Sequence, residues 1–259
     1  MSAPYRIRFG SYTFPNDTFE VAGLPLENQL DEANIPRRDG SRILASKLGP
    51  RRIRIKGQLH GADEDTVHSA LNEFFNQLST MGEQQLKYRS DRYMKCWVRS
   101  FGHSYSQGAY APGTGYGGVA AIDIQMQAAD PFLYSTSLTT HTIAADALVN
   151  TSLLFDVVNP NIVSAVPQII LVPGVTLSDV IFFHNRTTGE RFQWHGTLAP
   201  GMTLTVDSEE QSVELGSGVD ALSLYEGDFI TLNGLTNNFR IAGFTLSNLL
   251  VVYRPRYLA

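Results

Sequence analysis

The chain has 259 residues, 43% hydrophobic and 17% charged, with 22 Gly, 14 Phe and 11 Tyr; this suits a packed core built from strands and turns, in one large domain or two ordinary ones. Its one cysteine, Cys96, excludes internal disulfides and argues against a thiolate zinc site. The net charge of −5 is unevenly divided, since residues 1–131 hold 15 basic and 14 acidic side chains while residues 132–259 hold 5 and 11; such a second half argues against wrapping nucleic acid, although an acidic lining would suit DNA in transit.

Tyr5 to Phe9 alternates apolar and charged residues, which predicts a half-buried strand. Residues 23–50, punctuated by Gly23, Pro25, Pro36, Gly40 and Pro50, read as loop with short strands. Arg52 to Leu59 alternates again, with Ile53, Ile55 and Leu59 on one side and Arg52, Arg54 and Lys56 on the other. One amphipathic helix follows. Asp63 caps it, Glu64 and Asp65 sit in its positive first turn, and Val67, Leu71, Phe74, Phe75 and Leu78 form one apolar stripe. Gly82 stops it.

Leu86 to Tyr88 and Tyr93 to Phe101 read as strands about the turn at Ser90-Asp91-Arg92, and Cys96 as a buried thiol in the second. Residues 102–118 are Gly-, Ser- and Tyr-rich and read as a loop. Val119 to Gln127 resumes strand alternation, and Pro131 ends it. Residues 135–159 read as a connector. Short strands then follow at roughly ten-residue spacing: Gln168–Val172, Val180–His184, Glu190–His195, Thr203–Val206, Ser212–Leu215, Ala221–Leu224, Phe229–Leu232, Phe239–Ile241 and Leu249–Tyr253. The turns between them include Asn233-Gly234 and Asn237-Asn238. With no helix among them, they predict an antiparallel sandwich or jelly roll.

Chemistry-bearing patterns are sparse. Gly113-Thr-Gly115-Tyr-Gly117-Gly118 spells a dinucleotide fingerprint, but a strand follows where a helix N-terminus is required. His60, Asp63, Glu64, Asp65 and His68 lack the spacing that converges ligands on one helix face, and the acids are better used on the helix dipole. No nucleophile lies in a recognisable elbow, and Glu209-Glu210 reads as a solvated turn. Asn185-Arg-Thr187 matches a glycosylation sequon without a secretory signal. No catalytic residue, metal or cofactor is expected. No run of about 18 apolar residues marks a membrane span.

Two surfaces remain as candidates. Arg52, Arg54 and Lys56 are a solvated strand face or a row that pairs with acids on a neighbouring subunit. Trp194, in Phe192-Gln-Trp194-His195, fills the sandwich core or offers a sugar-stacking platform.

The order of elements from Arg52 to the strand ending Ala129-Asp130-Pro131-Phe132-Leu133-Tyr134 resembles the N-terminal domain of siphophage distal tail proteins. Pro167-Gln-Ile-Ile, Asn185-Arg-Thr-Thr-Gly189, Leu198 to Asp207, Phe229 to Leu232, Asn237 to Ile241 and the ending Val251 to Leu258 are similar to that family's second domain. The resemblance implies a hexameric ring at the tip of a non-contractile tail, with first domains forming the ring and sandwiches projecting outward. Partners implied are further copies of the chain, the tail tube protein, tail hub or receptor-binding fibre proteins and the tape-measure protein. DNA would only pass through the channel, without membrane insertion, and the family carries no catalytic residues. The location implied is the distal end of the virion tail, after synthesis in the host cytoplasm.

The expected fold is therefore mostly β: an α+β ring-forming domain over residues 1–134, a connector over 135–159, and a jelly-roll or galectin-like sandwich over 160–259 whose last ten residues either finish the sandwich or return to the first domain. The expected function is a structural tail hub. The alternative is a carbohydrate-binding surface module working through Trp194, and a hydrolase ranks last.

Overall fold

The computed structural model describes residues 6–14, 19–23, 28–34, 41–61, 63–106, 118–143, 152–177, 181–216, 218–242 and 246–258. Apart from Gly118, the glycine motif at 113–118 lies outside the described residues. The chain divides into two compact units, Met1–Leu133 and Tyr134–Ala259. It is mostly β, with one α-helix among the described residues.

The first unit contains β1 (Arg8–Phe9), β2 (Tyr12–Thr13), β3 (Glu20–Gly23), β4 (Asn28–Asn34), β5 (Ser41–Leu48), β6 (Arg51–Gly61), α1 (Glu64–Thr80), β7 (Gln84–Lys87), β8 (Arg92–Ser106) and β9 (Gly118–Ala128). Its main sheet runs β2-β1-β7-β8-β9-β6-β3, with antiparallel neighbours throughout. The segment read as loop with short strands holds a hairpin of β4 with β5, broken by a bulge between Asp31 and Glu32.

The helix forms where its signals predict. Asp63 is extended at φ −149° and its carboxylate accepts the Thr66 N–H at 2.7 Å, satisfying one orphan donor of the first turn. Val67, Leu71, Phe74 and Leu78 are buried. They meet the inward row of the sheet, where Ile55 lies beside Ile124 and Ile53 beside Met126. Full burial of each such side chain is worth about 1.5–3 kcal/mol, so this stripe anchors the helix. Phe75, next to Phe74 and about 100° further round the helix, is half-buried and stacks on Phe101 with centroids 4.6 Å apart.

Gly57 interrupts the inward row, and the Phe19 ring occupies the space a side chain would fill. A Cβ there would stand 2.2 Å from Phe19 Cδ1. That ring completes a cluster with Phe14 and Phe74. Cys96 is buried in β8 with its thiol 3.9 Å from Met126 Sδ, and burial pushes its pKa up to about 12.

After β10 (Leu133–Ser135), the second unit contains β11 (Thr139–Ile143), β12 (Ser152–Asn159), β13 (Pro167–Pro173), β14 (Ile181–Asn185), β15 (Arg191–Trp194), β16 (Leu204–Asp207), β17 (Ser212–Leu215), β18 (Val219–Asp220), β19 (Tyr225–Gly227), β20 (Leu235–Ala242), β21 (Leu246–Tyr253) and β22 (Arg256–Tyr257). A six-stranded sheet runs β11-β21-β13-β16-β17-β18 and a five-stranded sheet runs β12-β20-β14-β15-β19. Residues from both bury one cluster, including Ile169, Val206 and Val251 from the first and Phe183, Trp194 and Phe239 from the second. This is a two-layer sandwich arrangement.

Several local readings need correction. Ala221–Leu224 is not a strand: Leu222–Leu224 is a 3₁₀ turn between β18 and β19. Phe229–Leu232 contributes only the bridge from Leu232 to Ala165. Asn237-Asn238 is not a turn but lies inside β20, where Asn237 is buried. Its amide oxygen accepts the Asn233 N–H at 2.8 Å while its nitrogen donates to the Asn233 carbonyl at 2.9 Å. Buried and fully bonded, the side chain fixes the Asn233-Gly234 turn. The segment read as a connector carries β11 and β12, the latter paired with β20 along its whole length. At the other end of this unit, Arg254 donates to the Ser135 and Thr136 carbonyls at 2.9 and 3.0 Å. Arg256 lies over the Tyr134 ring, 5.3 Å from its centroid.

Candidate interface

Alternation along β6 sends Arg52, Arg54, Lys56 and Gln58 to the side opposite α1. The residues beside them on β9 are Gln127, Gln125, Asp123 and Ala121. Lys56 faces Asp123 directly, yet Arg54, on the diagonal, captures the carboxylate: its Nε donates to Oδ1 at 2.8 Å and to Oδ2 at 2.9 Å, and Nη2 joins the same oxygen. These hydrogen bonds, ahead of the nearby charges of Arg54 and Lys56, hold the Asp123 carboxyl below its ordinary range. The same bonds raise the Arg54 guanidinium. Both side chains remain open to solvent, at 43% and 34% exposure.

The candidate row is thus divided. Arg54 has an internal carboxylate, whereas Arg52 and Lys56 are exposed on either side of it. Glu20 on β3 lies beside Lys56, and Arg99 on β8 donates to Gln127 Oε1 at 2.8 Å. A broad concavity of about 730 Å³ opens here, lined by Glu20, Arg54, Lys56, Ser104 and Asp123 among others. A second, of about 490 Å³, adjoins Arg52, Arg54, Arg99 and Gln125. Trp97, 52% exposed, faces Gln127 across the β8–β9 ladder. Asp123 and Trp97 are the members that sequence reading passed over, although the alternation of β9 already placed Asp123 on the outer side. The result is a wide polar sheet face with mixed charge, suited to complementary contact with another surface.

The remaining candidates sit elsewhere. Trp194 is 0% exposed, among the buried residues of the sandwich, so its ring presents no face on which a sugar can stack. Its burial answers the alternation of β15, whose Phe192 and Trp194 both point inward. Asn185 of the sequon is buried too, and its amide donates to the Thr231 carbonyl at 2.7 Å. The Glu209 and Glu210 N–H groups donate to Asp207 Oδ1 at 2.9 and 3.0 Å, so the Asp207 carboxylate holds this acidic turn. Among the described residues no three His, Cys, Asp or Glu side chains are placed to hold a metal ion, and no helix is long and apolar enough to cross a membrane.

Comparison with known proteins gives one family and one fold. Residues 11–109 match the family of the phage tail protein RIFT-related domain. No curated protein matches the sequence. Among solved structures, the chain is similar to the Dit protein of phage SPP1, described as a paradigm of the hub adsorption apparatus in phages infecting Gram-positive bacteria. That likeness has a TM-score of 0.77 at 14% identity and covers 98% of this chain and 99% of the other. It is also similar to a chain of the phage P2 baseplate in its activated conformation with Ca, with a TM-score of 0.53 at 10% identity, covering 98% and 92%. The same baseplate with Sr gives 0.54, 10%, 98% and 92%.

Proposed function

We propose that this member of the siphophage distal tail, or tail-tip hub, proteins is a non-catalytic structural part of the virion, seated at the distal end of a non-contractile tail. The observation that carries this reading is a hub-protein fold shared along effectively the whole chain, with a phage-tail sequence match confined to the first unit. Its work is contact: the first unit closes into a ring, taken as a hexamer, with copies of itself, and the second unit forms a jelly-roll or galectin-like sandwich directed at other tail parts. The partners on this reading are the tail tube protein, hub or fibre proteins and the tape-measure protein, with DNA passing through the channel.

The polar face of β6 and β9 supports the ring. One protomer's exposed Arg52 and Lys56 pair with carboxylates of the next, while Arg54 keeps Asp123 and stiffens the face between them. Burial in an interface makes such pairs stronger than exposed ones. Light scattering coupled to size exclusion and negative-stain micrographs should show a closed ring for the wild type. Arg52→Glu/Lys56→Glu should yield a folded protein of lower mass. A strict monomer at every concentration and salt would overturn the hub reading. A ring indifferent to the double reversal would overturn only the assignment of this face.

A further inference from the structure

The second unit is acidic, yet three of its five basic residues gather on one patch. The outer face of the five-stranded sheet places Arg191 of β15 and Arg240 of β20 directly beside His184 of β14, one on each side. Arg186 follows in the adjoining turn. Strands lie about 4.8 Å apart, so Arg191 and Arg240 stand roughly 10 Å apart at the backbone and their long side chains can converge over the imidazole. All three arginines are exposed.

None of the three guanidiniums is paired with a carboxylate among the described residues. Arg186 donates to Asn238 Oδ1 at 3.0 Å and Arg240 to Ser152 Oγ at 3.1 Å, while Arg191 makes no side-chain hydrogen bond or ion pair there. Each guanidinium has five N–H donors, so most remain available. The nearby acids have other duties. Asp156 accepts from Asn238 at 2.7 Å, Asp228 accepts the backbone N–H of Arg191 at 3.3 Å, Glu190 is bonded to Thr231 and Thr188, and Glu226 meets His195 at 3.2 Å. Burial, and then the charges of Arg191, Arg186 and Arg240, hold the His184 pKa below its usual value.

We propose that this patch binds an oxyanion of the phosphate or sulfate class, held between Arg191 and Arg240 above His184 with Arg186 at its margin. Forked guanidiniums match tetrahedral oxyanions geometrically as well as electrostatically. The surrounding negative charge selects against a long polyanion lying across the unit and favours a single group, whether free or carried on a polymer that presents it locally.

Calorimetric titration of the full chain with sodium phosphate, and separately with tripolyphosphate, tests this against sodium chloride at matched ionic strength. Saturable binding should weaken by at least about tenfold in Arg191→Gln/Arg240→Gln, the loss expected when charge-assisted hydrogen bonds are removed. Arg6→Gln/Arg89→Gln, which removes the same charge from exposed positions of the first unit outside the proposed ring contacts, should retain it. Circular dichroism confirms that both variants fold. Equal affinity per phosphate group for the two probes would support a single-group site, and much tighter binding of tripolyphosphate would show a preference for linked charge and overturn it. No saturable binding, or equal loss in both double variants, would overturn the proposal. Ring formation by Arg191→Gln/Arg240→Gln is scored separately, so failure here leaves the hub reading untouched.

Discussion

Gly196 is a position where a single added carbon should be costly. An alanine Cβ there would lie 2.2 Å from Trp194 Cζ2, 2.4 Å from Cη2 and 2.9 Å from Leu224 Cδ1. Ordinary carbon contacts are about 3.5–4.0 Å, so the indole must move by more than an ångström. It has nowhere to go, because Trp194 is fully enclosed. Overpacking of this kind costs about 1–3 kcal/mol, and losing the indole's packing altogether sets a ceiling of about 3–5 kcal/mol. Reduced freedom of the unfolded chain returns only about 0.4–1 kcal/mol. Gly196→Ala should therefore destabilise the second unit by about 1–3 kcal/mol in guanidinium unfolding. In a Trp97→Phe background, Trp194 is the sole indole and its fluorescence reports that unit. Trp194→Phe makes room, so the double variant, with the whole cycle followed by circular dichroism because the indole is gone, should cost less than the sum of the singles, with a coupling of about 1 kcal/mol or more. A neutral Gly196→Ala, or strict additivity, would refute the packing account.

Asp123 should titrate below its ordinary value, so its contribution to stability is present above the unfolded-state pKa and lost as pH falls through the lower folded-state pKa. Arg54→Gln should return the carboxyl toward its usual value in carbon-detected NMR titration; no change would disconnect the shift from that pair. Cys96 should resist Ellman's reagent at pH 8 in the folded protein and react fully in denaturant, since burial holds the thiol protonated with a pKa of about 12. Leu235 is 67% exposed with φ +75°, a left-handed conformation that costs a non-glycine residue about 1–2 kcal/mol but that Asn tolerates. Leu235→Asn should raise the urea midpoint by an amount equivalent to roughly 0.5–1 kcal/mol; a lower midpoint would contradict it.

The first unit's centre was legible because its signals are local. Asp63 caps the helix, Val67 to Leu78 follow its period, and Ile53, Ile55, Ile122 and Ile124 alternate where one sheet face is buried. Legibility failed where pairing is long-range. Ser152 to Asn159 carries apolar residues on both sides, with Leu154 and Val158 exposed as well as Val157 buried, so its alternation is not visible in the residue types, and its strand character comes from β20, some eighty residues away. Asn237-Asn238 looks like turn chemistry, but a buried amide bonded to Asn233 serves the strand instead. The outward row Arg52, Arg54, Lys56 was visible as a row. Its division into one internally paired and two exposed cations was not, because Asp123 lies 69 residues beyond Arg54. Trp194 follows the same rule: periodicity places it inward, and only tertiary packing shows that the indole is entirely sealed.

The sheet of the first unit spends its greasy side on the helix and keeps its ionic side outward. Apart from Trp97, that side of a freshly made copy therefore exposes little that would make it clump while it waits for neighbours. Closure through that side would be governed by counter-ions and charge register rather than by expelling water from oily surface, which makes the order of construction tunable by the salt of the cell in which it happens.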